Sequence, residues 1–375
     1  MIKKFLQKLF KIVSYGFFFK IYGKIEKSIE NSSDERIKVK IVNIEKNLRY
    51  KAYKIIDGRL YTDRIHDTAF ILDNKIIEGP SFQLRYMSDG EIYNSKVNDN
   101  IVFKKGTPRI LKNLNGTVLS LLTGGGGNDN YWHWLYDVLP RLALCSKAFS
   151  LEEIDFFLFP SIYKKFQEET LDCLNIPKNK RLSSEKFRHI KAKELIVTDH
   201  PFVISGVATE DIMNIPKWIS QWLKDNFLKQ NTISNKKNIR KVYIDRSDET
   251  SDRQASRSII NEDEVKKYLL KDNFTPVKLH NIKFSDQVQL FYNADCIVGL
   301  HGGGFANLAF CKPGTKVVEL TNIDAGTAIE NLAKKNDLNY NSITVEATQT
   351  NKYNFASQQG HIEIPISSLN KILEN

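Results

Sequence analysis

The sequence predicts a two-domain α/β protein. Its 375 residues exceed the roughly 100–200 of a typical single domain. The second half alternates short buried runs with amphipathic helical stretches, the pattern of a parallel sheet covered on both faces. The first half mixes short β-like runs with turn signals instead. Hydrophobic residues make up 41% and charged residues 26%. That balance excludes wholesale disorder and collagen-like or mucin-like chains, and lets both domains bury a core without staples.

The chain opens on MIKKFLQKLFKIVSYGFFFKIYGKIEKSIE, with seven Lys and two Glu, a local charge of +5. Ile2, Phe5, Leu6, Leu9, Phe10, Val13 and Phe17 recur at helical spacing, with Lys4, Lys8 and Lys11 on the other face. Ser14 and Gly16 break the apolar stretch, which is too short for the ~20 residues a span needs. No small-residue cleavage site follows, so a signal peptide is not expected. Two readings stay open: a basic amphipathic helix lying in a cytoplasmic membrane interface, and a terminal helix packed on the protein's own core. Asn31-Ser32-Ser33-Asp34 reads as a short linker.

Residues 69–72 and 75–78, joined by Asp73-Asn74, carry a hairpin signal. A β-branched and Leu run at 118–122 ends at the glycines 124–127, and 130–144 is helical in pattern. A strand at 154–159 and helices at about 161–174 and 212–228 follow. Strands are expected at 242–244, 276–279, 296–300, 316–320 and 342–345. Between them, Asn261-Glu262-Asp263-Glu264 opens a helix in capping-box style, and Ser285 caps another. His301-Gly302-Gly303-Gly304 forms a loop into a short helix at 305–310, and a further helix covers 327–336.

Lys and Arg number 55 against 44 Asp and Glu, a formal charge of +11, and only 13 of the 55 are Arg. Lys is a hydrated point charge, so the excess reads mainly as a solvated face. Cys145, Cys173, Cys296 and Cys311 show no CxxC spacing and read as small buried hydrophobes in a reducing compartment. No zinc-type cluster of His and Cys is present in the sequence.

Three stretches can carry chemistry. Arg240, Arg246, Arg253 and Arg257 lie within eighteen residues. Three of them fall in or beside the loop after a predicted strand end, where an anionic ligand would sit and Arg forks suit a diphosphate. A solvated loop partnered by Asp248, Glu249 and Asp252 is the plain alternative. The run His301-Gly302-Gly303-Gly304-Phe305-Ala306-Asn307 follows a buried strand. Glycine lets backbone approach a ligand, and a helix start offers free N–H groups to phosphate. The spacing is not GxGxxG, so the dinucleotide fingerprint is unmet. Glu319, ending the next strand, is placed to accept from a ribose or to be a surface Glu. The third stretch, at 124–141, sets His133, Asp137 and Arg141 at i, i+4 and i+8, one face of a helix. A His beside a carboxylate suits a general base; a buried His with an Asp cap is the alternative. No Asp-x-Asp occurs among the 23 Asp, so the leaving-group charge would fall to Arg, backbone N–H and a helix N-terminus rather than to a metal ion.

Asn130-Tyr131-Trp132-His133-Trp134-Leu135-Tyr136-Asp137-Val138-Leu139-Pro140-Arg141 resembles the NYxHWxxDxLPR signature of glycosyltransferase family 61. Tyr243-Ile244-Asp245-Arg246, Asn261-Glu262, Phe284-Ser285-Asp286-Gln287 and the block IVGLHGGGFANLAFCKPGTKVVE at 297–319 are similar to its C-terminal half. The motifs span about 124–320; Gly303 and Phe305 stand where Ala and Leu are common. The resemblance implies a GT-B-like fold, two Rossmann-like lobes facing a central cleft, here with an added N-terminal amphipathic helix. It implies inverting, metal-independent transfer from a nucleotide-sugar co-substrate, UDP-linked, to a glycan or lipid-linked acceptor, as in bacterial capsule and surface-polysaccharide synthesis.

The expected boundaries are 1–34 for the basic segment, 35–208 for the acceptor-side lobe and 209–375 for the donor lobe, with the C-terminal segment able to return to the first lobe. The expected base is His133 oriented by Asp137, with Asp137 itself as the closest variant. Asn130, Trp132 and Arg141 stand on the acceptor side. Arg246, Arg253 and the backbone of Gly302, Gly303 and Gly304 would hold the diphosphate. Glu319 would hold the ribose, and His301 or Asn307 the phosphate or sugar. The expected location is the cytoplasm, on the inner face of the membrane through residues 1–30. Two competing classes remain. A non-catalytic polysaccharide-assembly protein of the same fold would lack nucleotide affinity. A nucleic-acid-binding protein would need a basic stripe with exposed aromatics, whereas the aromatics here sit in apolar runs and Arg is scarce.

Overall fold

The computed structural model describes residues 2–45, 47–87, 91–122, 129–228, 239–247, 257–347 and 360–374, without the side chains of 2–10. The chain divides into two compact units, one of residues 1–164 and 175–211, the other of 165–174 and 212–375.

The first unit is built on a mixed sheet. Its parallel part runs through His189–Thr198, Lys112–Ser120, Phe156–Phe159 and Arg181–Ser183. On its other side His189–Thr198 pairs antiparallel with Leu48–Ile56 and Arg59–Thr62, and a meander continues through Asp67–Leu72 and Lys75–Ile77. This corrects the expectation of a Rossmann-like lobe here. Tight turns join the strands between residues 37 and 77, and a parallel crossover needs a dozen or more residues. Asp73 and Asn74 take φ of 46° and 59°, the two left-handed positions of a hairpin turn that these residue types tolerate. The core joins Tyr53, Ile55, Phe70, Val118, Leu158 and Leu195.

Residues 130–148 are not one regular helix. Tyr131–His133 leads into a widened turn over Trp134–Val138, then Pro140–Ala148. Pro140 has no N–H and its ring would strike the carbonyl four residues back. The turn opens instead, and Leu139 N–H donates to Trp134 O, five residues back, at 3.1 Å.

The second unit carries the predicted alternation. Its sheet is parallel, in the order Thr275–Val277, Lys241–Ile244, Cys296–Leu300, Lys316–Asn322, Asn339–Val345. The helix Lys165–Cys173 belongs to this unit, because Glu169 Oε2 accepts from the first N–H of Phe284–Asn293 at 2.7 Å. That helix therefore begins one residue before Ser285, which does not cap it. Asn261 is no side-chain cap either. Its amide bonds Ile364, accepting from N–H and donating to O, each at 2.9 Å, and also donates to Glu264 Oε2 at 3.1 Å, but its Oδ1 takes no N–H of the helix. Pro216 splits the stretch expected at 212–228 into Ile212–Asn214 and Lys217–Phe227. The C-terminal helix Ile366–Glu374 stays in this unit, with Leu369 in its core, rather than returning to the first.

The N-terminal helix spans Ile2–Tyr22. Its end is docked on the first unit: the Tyr22 hydroxyl accepts from Leu111 N–H at 2.9 Å, and the Tyr22 ring meets His189 edge-on. Ile12, Val13, Phe17 and Ile21 are each more than half exposed. Among the described residues no helix is long and apolar enough to cross a membrane.

Candidate active site

In the first unit, the opened turn leaves His133 and Asp137 one turn apart. His133 Nδ1 meets Asp137 Oδ2 at 2.7 Å, so that nitrogen carries the proton and Nε2 is left to accept. Burial opposes the imidazolium, but the Asp137 charge and hydrogen bond outweigh it, and the pKa of His133 rises above its ordinary 6.5. Burial likewise opposes the Asp137 carboxylate; His133 and His200 outweigh it and hold the pKa down to about 2. Asp137 is 1% exposed, whereas the His133 side chain keeps 20%. The histidine can therefore meet a hydroxyl, and Asp137 acts behind it.

Sequence reading missed His200. Its Nε2 lies 3.8 Å from Asp137 Oδ2, so Asp137 sits between two imidazoles. The only local signal was its position just past the buried strand His189–Thr198. Two acceptor-side expectations change. Asn130 is the cap of the first helical turn, its Oδ1 accepting from Trp132 N–H at 2.9 Å. Trp132 is buried, tilted against Tyr136 at 4.8 Å between ring centroids, with its indole N–H unpartnered among the described residues. Arg141 is buried too. Nε donates to Asp137 O and Nη1 to Thr198 O, each at 3.1 Å. Burial lowers its pKa to about 10, which leaves it charged at neutral pH.

In the second unit, Arg246 follows the strand Lys241–Ile244 and donates from Nη1 to His301 O at 3.0 Å. Gly302 lies close against both arginines: a Cβ there would be 2.9 Å from Arg246 Nη1 and 3.2 Å from Arg257 Nη2, so a side chain would push the guanidinium groups aside. Gly303 opens the short helix Gly303–Phe310, and a Cβ on Gly304 would press on Leu279 and Ile244. Arg246, Arg257, Tyr243 and Glu262 line a small cavity of about 140 Å³ at the carboxyl end of the sheet. Arg253 and the glycines at 124–127 lie outside the described residues.

Glu319 does not face a ribose. It is 1% exposed, with one oxygen bonded to His301 Nδ1 and the other accepting from the Tyr340 hydroxyl at 2.6 Å. Glu319 thus fixes the His301 ring, with Nε2 as the nitrogen turned away from it. Asn307 is fully buried, donating to Gln287 Oε1 at 3.0 Å and Gly304 O at 3.2 Å, which pins the glycine loop rather than a sugar.

The described residues thus combine a parallel sheet carrying arginines at its carboxyl end with a His–Asp pair on the first unit. The family model described as Glycosyltransferase 61 matches residues 131–318, half of the chain. The chain belongs to that family and is a glycosyltransferase, with a donor and an acceptor substrate. A search of curated proteins found no match.

Proposed function

We propose that the protein is an inverting, metal-independent glycosyltransferase, with the acceptor assigned to the first unit and the donor to the second. It moves a sugar from a UDP-linked donor to a glycan or lipid-linked acceptor in bacterial capsule or surface-polysaccharide synthesis. The observation that carries this reading is the 2.7 Å His133–Asp137 contact, which leaves His133 Nε2 as a base. In one displacement the acceptor oxygen bonds to the anomeric carbon as the bond to the diphosphate breaks. The hydroxyl proton goes to Nε2, and the electron pair leaves on the diphosphate. Arg246 and Arg257, with the backbone of Gly302–Gly304, receive that charge. Asp137 keeps the Nδ1 proton in place and offsets the imidazolium that forms.

A thermal-shift screen with UDP, GDP, CMP and ADP tests the class. A rise in Tm with UDP that chelator leaves unchanged is the expected result. No response to any nucleotide favours a non-catalytic assembly protein, and a response needing metal contradicts the metal-free mechanism. Attachment to the inner membrane face is part of the same proposal, supported by exposed Ile12, Val13, Phe17 and Ile21 beside Lys11 and Lys20. Co-sedimentation with phosphatidylserine vesicles is expected to drop several-fold for Phe17→Glu. Equal binding by the variant places that face off the membrane.

A further inference from the structure

A cavity of about 360 Å³ lies where the parallel strands Lys112–Ser120 and His189–Thr198 end in the first unit. Register decides what faces it. Leu119 lies opposite Ile196, so Ser120 and Val197 share the other face, and both line the cavity. Phe70 and Leu122 supply further apolar wall.

Beside the amides of Asn47 and Asn94 and the carboxylate of Asp199, several side chains put hydrogen-bond donors in this wall. Ser120 is 1% exposed and its hydroxyl has no hydrogen-bond partner among the described residues. Arg141, 3% exposed, uses Nε and Nη1 on backbone carbonyls; Nη2 has no partner among the described residues. His200 Nδ1 accepts from Val203 N–H at 3.0 Å and Phe202 N–H at 3.3 Å. A nitrogen accepting two N–H groups carries no proton, so the His200 proton is on Nε2, which faces Asp137 Oδ2 at 3.8 Å rather than a ligand. The carboxylate in the wall is already engaged: Asp199 accepts from Lys51 N–H at 2.7 Å and from the Tyr53 hydroxyl at 3.2 Å. Arg49, exposed, adds a second guanidinium to the lining. The Ser120 hydroxyl and Arg141 Nη2 thus have hydrogen-bonding capacity to spare, which a ligand rich in acceptor oxygens takes up.

We propose that this cavity is an oxyanion subsite, which takes the carboxylate or phosphate of a saccharide on Arg141 Nη2 and the Ser120 hydroxyl, with the sugar against Phe70 and Leu122. The proposal rests on the first unit as the acceptor side and adds that the acceptor is acidic. A sugar acid and a sugar phosphate supply the same chemistry, and the test separates them.

Calorimetric titration of the full chain with glucuronate, glucose 1-phosphate and glucose decides it. At least a ten-fold preference for an anion over glucose is expected. Glucuronate alone names a carboxylate, and glucose 1-phosphate alone a phosphate. The preference should fall several-fold in Ser120→Ala and in Arg49→Gln, both outside the Arg141 bonds that hold the fold, and disappear in Arg141→Lys. Equal affinity for all three sugars, absence of saturable binding, or a preference abolished by Arg246→Ala in the second unit overturns the subsite. Nucleotide thermal shifts on the same samples separate the failures. A nucleotide response without anion preference removes the subsite alone; the reverse removes the donor assignment alone.

Discussion

His133→Ala is expected to lower sugar transfer by about 100- to 10,000-fold, the range for loss of a positioned general base. Nucleotide affinity should stay as in the parent, because the diphosphate is assigned to the other unit. Turnover with the cognate donor in folded protein measures it, and a near-parental rate would remove His133 from the mechanism. The same base sets the pH profile. It works only when neutral, and Asp137 raises its pKa, so kcat/KM should fall as pH drops through a value above the ordinary 6.5. Asp137→Asn removes the charge that holds the proton. The acid limb then moves to lower pH while the remaining rate drops, since the Nδ1 proton loses its carboxylate acceptor. Stability follows the opposite sign. The raised His133 pKa gives stabilisation present in full below about 6.5 and lost as pH rises through the folded value. The lowered Asp137 pKa gives stabilisation present above its ordinary 3.8 and lost as pH falls toward about 2.

Arg246→Ala should weaken nucleoside-diphosphate binding by about 10- to 150-fold, the equivalent of losing charge-assisted hydrogen bonds worth ~1.5–3 kcal/mol. Two effects combine. The guanidinium that would meet the diphosphate is gone, and the tie from Nη1 to His301 O that shapes the glycine loop goes with it. Arg246→Lys keeps the charge but not the fork, so its affinity should fall between the two. Calorimetry with the nucleotide selected by the thermal-shift screen measures both. Unchanged affinity in Arg246→Ala would sink the diphosphate assignment.

Much of this architecture was legible where the signal is local. The strand Cys296–Leu300 stands at its expected bounds, and Asp73-Asn74 forms the expected turn. Four-residue spacing brought His133 to Asp137 even though the helix there widens into a different turn. Residues whose roles depend on distant partners read less well. Glu319 at a strand end suggested a ligand contact, but Tyr340, on the neighbouring strand, and His301 take both oxygens. Asn261 matched a capping box, yet its amide pairs with Ile364, about a hundred residues away. The first unit's sheet was under-read because its parallel part pairs segments far apart in the chain, Lys112–Ser120 with His189–Thr198, and no local signal joins them.

By itself the sequence determined the class of the protein, the alternating second unit, and the His133–Asp137 and Arg246 positions. These depend on neighbours within one turn or one strand, whose spacing is written in the chain. Only the tertiary structure decided that Asp137 stands behind His133, that Glu319 serves His301, and that His200 and Arg141 close around Asp137. Burial puts Asp137 behind His133, and the pairings of Glu319 with His301, Arg141 with Thr198 and His200 with Asp137 cross 18, 57 and 63 residues, which no local periodicity encodes.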